Sequence, residues 1–216
     1  MGYRNCISII IVLLLTSFCM ADDPGLDLID ESVPTTFSEA VKDVEFGKAI
    51  AVSMDGKLSV KIWLRESLKP ATNPSSELGV TFGKIETGSF VGVVEMVDEW
   101  TDYKMNPIKP GCYTMRYGIM PADGNHMGVS SYRDYLLLIP ASLDQDPAKG
   151  FGYDDLVISS FEATGTPHPA VLALYPIWED VSEPKLVKND LDQWTIGIKI
   201  GDDTLGLTIQ GHGEIH

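Results

Sequence analysis

Disulfide chemistry is almost missing from this chain. Cys6, Cys19 and Cys112 are its only cysteines, and the first two sit in an N-terminal apolar run. Without that run, Cys112 stands alone, and one cysteine closes no internal disulfide. A small disulfide-stapled fold is therefore excluded. Cys112 lies in GCYTMRYGI, where the expected role is a small buried apolar residue. A reactive thiol would want a nearby histidine and an electropositive setting.

Positive charge is also scarce. The chain has 16 Lys and Arg against 31 Asp and Glu, for a formal net charge of −15. Nucleic-acid binding rests on neutralising phosphates with Lys and Arg, so no nucleic-acid partner is expected. The simpler consequence of the acidity is solubility. Motifs of catalysis are missing too. There is no G-x-S-x-G, and no H-E-x-x-H, P-loop or G-x-G-x-x-G. Asp154-Asp155 and Asp202-Asp203 are adjacent pairs. Adjacent side chains point apart, so neither pair has the spacing of a glycosidase. No catalytic residue is assigned.

Long apolar runs are confined to one place, CISIIIVLLLTSFCM (6–20). That is short of the roughly 20 apolar residues of a bilayer span. Arg4 before it and Ala21 after it complete the pattern of a secretory signal peptide. Cleavage after Ala21 is expected, giving a secreted or periplasmic protein with no membrane span after signal removal. The alternative is a lipoprotein acylated at Cys19, but Phe18 stands where a small residue is wanted. Residues 1–21 are thus read as signal peptide, 22–46 as an acidic leader and 47–216 as one domain.

What is present reads mainly as β-strand. KAIAVSM (48–54) and KLSVKIWLR (57–65) flank Asp55-Gly56, the strongest short hairpin signal. Further strands are expected at 79–85, 89–97, 112–119, 135–141, 185–190, 193–200 and 204–210, with an extended segment at 169–177. A helix is expected within 149–165, with Asp154 and Asp155 in its first turn and Gly165 at its end. A short helix at 36–47 would use Thr36 as N-cap and Glu39 three residues on. Short strands with frequent turns and one or two short helices predict an antiparallel β-sandwich. Trp63 falls on the polar face of its strand. Packing between strands is its expected role, and an exposed sugar-stacking platform is the alternative.

The densest set of functional side chains lies in IMPADGNHMGVSSYRDY (119–135). Asp123, Asn125, His126, Tyr132, Arg133 and Asp134 are the candidate ligand-binding residues, because loops on a rigid scaffold gather binding groups. The plainer reading is that Pro121 to Asn125 make turns. A metal alternative joins His126 to His212 and Glu214, which alternate with His216 at the chain end. Alternate positions on a strand share a face, and that spacing suits copper or zinc. No cofactor is otherwise expected.

IKPGCYTMRYGIMPADGNHMGVSSYRDYLLLIPASLDQDP (108–147) and the closing Gly211-His212-Gly213-Glu214 resemble a group of uncharacterised exported bacterial β-rich proteins. The shared pattern is a Pro-Gly-x-Tyr-Thr strand, an Asp-Gly-Asn-His loop and an Arg-Asp-Tyr-Leu-Leu strand. The resemblance implies export and carries no activity. The expected function is a non-enzymatic binding or interaction module of the bacterial cell envelope. Its partner would be a small molecule, a glycan or an envelope protein. A periplasmic copper or zinc protein and a hydrolase without a recognisable motif are the alternatives.

Overall fold

The computed structural model describes residues 23–102, 105–122, 132–179, 181–200 and 203–210. Its strands are β1 (Gly25–Ile29), β2 (Ala49–Met54), β3 (Lys57–Leu64), β4 (Phe90–Met96), β5 (Trp100–Thr101), β6 (Pro107–Ile108), β7 (Gly111–Ile119), β8 (Asp134–Pro140), β9 (Val171–Pro176), β10 (Lys185–Lys188), β11 (Trp194–Ile200) and β12 (Asp203–Gln210). Helix α1 (Glu39–Lys42) precedes β2, and α2 (Tyr153–Thr164) lies between β8 and β9.

Ten strands form one antiparallel sheet in the order β1-β2-β3-β4-β7-β8-β9-β12-β11-β10. The edge strands β1 and β10 come close to each other, so the sheet is a nearly closed barrel. The mainly β, antiparallel expectation holds, but the sheet is barrel-like and not clearly the sandwich expected. Alternating strands bury one face in either architecture, so the pattern does not choose between them. The right-handed twist accumulates over ten strands and curls the sheet toward its own edge.

The hairpin signal at Asp55-Gly56 is realised with both residues at positive φ, 48° and 72°. That is the geometry a two-residue turn needs to follow strand twist. Helix α2 ends at Gly165 in the left-handed conformation, φ 70°. Helix α1 is capped by Ser38, whose side chain accepts from the Val41 N–H, rather than by Thr36. Within the segment read as an acidic leader, Gly25–Ile29 forms β1 and pairs with β2 at all five positions. The expected strand at 79–85 does not form; that segment is turns with one bridge between Pro70 and Ile85. Its glycines sit where the chain crosses itself. A Cβ on Gly83 would lie 2.0 Å from the Ser75 carbonyl oxygen.

The lumen is filled by side chains. Val60, Ile62, Met96, Met115, Tyr117, Leu136, Leu138, Ile196, Ile198 and Leu207 belong to one buried cluster. Phe82 and Ile85, from the loop between β3 and β4, join it. Two smaller clusters cover the outer face. Trp63, Phe90 and Val93 lie under Phe37 and Val41. Leu137 and Ile139 lie against Leu156 of α2.

Candidate functional site

The residues singled out in the 119–135 loop divide in two. Asp123, Asn125 and His126 lie outside the described residues, as do His212, Glu214 and His216. Among the described residues no three His, Cys, Asp or Glu side chains are grouped to hold a metal. Tyr132, Arg133 and Asp134 are described, and each is engaged by the protein itself.

Asp134 opens β8 and is 1% exposed. Its carboxylate accepts from the Tyr117 hydroxyl at 2.6 Å and from the backbone N–H groups of Thr81 and Phe82 at 2.7 and 3.0 Å. Such a buried carboxylate is stable only because donors surround it. Burial, and then the negative charge of Asp134, hold the Tyr117 hydroxyl far above its ordinary pKa. Arg133 donates to the Met120 carbonyl through Nε at 2.7 Å, and to Glu77 and the Leu78 carbonyl through one terminal nitrogen. Tyr132 meets Tyr175 edge to face at 4.9 Å. Together Arg133 and Asp134 clamp residues 77–82 over the barrel end. Both are therefore drawn into holding the scaffold.

A second set of polar groups lies on the outer face. Thr114 and Arg116 alternate with the inward Tyr113, Met115 and Tyr117 along β7. Alternation therefore puts Arg116 outside the lumen, yet the segment after β8 buries it. Arg116 Nε and one terminal nitrogen each donate to Asp144 at 2.8 Å. The remaining N–H groups reach the carbonyls of Gly88, Asp146 and Lys149. All five guanidinium donors are thus used. Phe90 and Phe151 flank the guanidinium, with ring centres at 5.3 and 4.9 Å. Thr114 adds a hydroxyl to Asp144 at 2.6 Å. Arg116 fastens residues 144–149 to the barrel wall.

That fastening shapes a hollow of about 300 Å³ lined by Arg65, Leu68, Lys69, Glu86, Arg116 and Lys149, among others. It adjoins a larger hollow of about 590 Å³ lined by Asp30, Glu31, Lys42, Lys48, Trp63 and Glu66, among others. Val44 lines both. Trp63 is 1% exposed and donates its indole N–H to the Glu31 carbonyl. The packed role expected for Trp63 is the one it has, and it offers no open stacking face. Cys112 is half-buried beneath the same N-terminal segment, and burial pushes its thiol pKa up.

These cations were not legible as a site from sequence. Arg65 ends a strand, Lys69 lies in a turn-rich loop, and Lys149 comes much later in the chain. No spacing rule connects them. The Arg116–Asp144 pair was equally hidden, although Arg116 at a core-strand position was a signal that a partner must exist.

A scan against protein-family models finds no match, and searches of curated proteins and of solved structures find none either.

Proposed function

We propose that this chain is an exported, non-enzymatic binding protein of the bacterial cell envelope, with its ligand held on the outer wall of the barrel. The observation that carries this reading is the pair of adjoining hollows around Val44. Small-molecule sites are concave, with a few convergent polar groups on a fixed scaffold. Here β3, β4 and β7 supply the scaffold, and Arg116 fixes the 144–149 rim. The lumen is lined by aliphatic and aromatic side chains that pack as one buried cluster. Asp123, Asn125 and His126 enter the proposal as a second contact surface on their sequence pattern alone. Export rests on the N-terminal pattern of residues 1–21.

The test is a thermal-shift screen of the purified exported protein against sugars, short peptides, organic acids, copper and zinc. A ligand that binds only the folded state raises the midpoint by mass action. A shift with one organic class, without turnover of that ligand, supports the proposal. A shift confined to copper or zinc replaces it with the metal-binding alternative, and silence across the panel sinks it.

A further inference from the structure

The charge of the smaller hollow runs against that of the whole chain. The protein carries 31 acidic and 16 basic side chains. Yet Arg65, Lys69 and Lys149 line one hollow of about 300 Å³, with Glu86 as its one lining carboxylate among the described residues. Glu86 accepts the Thr72 N–H at 3.0 Å, which ties its carboxylate to the neighbouring loop. Lys149 stands over the Phe151 ring at 4.2 Å. Among the described residues, neither Arg65 nor Lys69 is held in an ion pair. Arg116 lines the hollow as well, but its charge is balanced by Asp144.

Concentrating like charges costs self-repulsion, and among the described residues no ion pair offsets Arg65 or Lys69. At physiological salt the screening length is about 8 Å, so distant carboxylates do not cancel a local cation group. Concave surfaces of one sign raise the local concentration of the opposite ion. Arg65 presents a planar fork suited to paired oxygens, and the lysines add point charges. Leu68 supplies an apolar patch in the same wall.

We infer that this hollow is an anion subsite, taking a small ligand with two or more oxyanion groups. The inference rests on the binding-module reading and names the ligand chemistry of its site. Both carboxylate and phosphate present that chemistry. Arg65, Lys69 and Lys149 contact the oxyanions. Arg116 is a positioning residue that holds Lys149 on the rim.

The test is calorimetric titration of the purified protein with citrate and, separately, with pyrophosphate. Binding of either is expected, and the stronger of the two identifies the oxyanion. Arg65→Ala and Lys69→Ala should each weaken it about tenfold, the equivalent of one charge-assisted hydrogen bond, with the thermal midpoint unchanged. Glu86→Gln should strengthen it, a sign that a merely structural role would not give. No heat from either probe, or affinities indifferent to all three substitutions, overturns the subsite. If a neutral ligand from the screen still stabilises the protein in that case, the binding-module reading stands without it.

Discussion

Arg116 and Asp144 face each other through two 2.8 Å contacts inside the protein, 28 positions apart in sequence. Their side chains are 1% and 0% exposed. A buried ion pair offsets its desolvation only when every lone pair and proton is matched. Here the three backbone carbonyls and Thr114 complete the match.

Removing one partner leaves a buried charge uncompensated. Asp144→Leu alone is expected to cost about 3–5 kcal/mol. The double variant Arg116→Met/Asp144→Leu should cost clearly less than the sum of its single changes. Urea unfolding of the four proteins measures this cycle. Additive losses would show the pair to be uncoupled.

Tyr117 and Asp134 give a pH dependence with a defined sign. Burial and the adjacent carboxylate raise the Tyr117 pKa in the folded state, whereas an unfolded tyrosine ionises near pH 10. The native state then keeps a proton that the unfolded state loses. The contribution is fully present below about pH 10 and is lost as pH rises beyond it. Urea midpoints measured from pH 8 to pH 11 should fall in the upper half of that range. Tyr117→Phe should be less stable at neutral pH by about 1–3 kcal/mol and show a shallower alkaline fall. An unaltered slope would remove Tyr117 from the account.

Cys112 is half-buried, and burial raises its thiol pKa above the ordinary value. The thiolate is the reactive form. Alkylation by iodoacetamide at neutral pH should therefore be slow in the native protein and fast in urea. Mass spectrometry of the Cys112 peptide follows both rates. Equal rates would contradict the packing under the N-terminal segment.

Gly92 is required by contact rather than by its backbone angles. It sits where β4 shifts register against β7, and a Cβ there would lie 2.3 Å from the Trp63 carbonyl oxygen. That atom belongs to the paired strand and cannot swing away. Gly92→Ala is expected to destabilise by about 3 kcal/mol, at the upper end of overpacking costs. A midpoint within experimental error of the parent would show that β3 and β4 can part locally.

Much of the fold was readable because period-two alternation and turn chemistry are local. The β2–β3 hairpin followed from Asp55-Gly56, and α2 from Asp154, Asp155 and Gly165. Segment 79–85 misled because it has strand composition. Its Thr81 and Phe82 N–H groups instead bond to Asp134, a partner more than fifty positions away. The place of the N-terminal segment left no local mark. Acidic and Pro-containing residues look unattached until Leu26 and Leu28 find β2.

The sequence by itself determined the β class, the strands that alternate, the helix ends and the acidic balance, since neighbours along the chain decide each of these. Only the tertiary structure decided that ten strands curl into one nearly closed sheet. It also decided that Arg133 and Asp134 serve the scaffold, and that Arg65, Lys69 and Lys149 share a hollow. Sheet closure depends on accumulated twist, and charge convergence depends on which distant segments meet. Neither leaves a periodic mark in the chain.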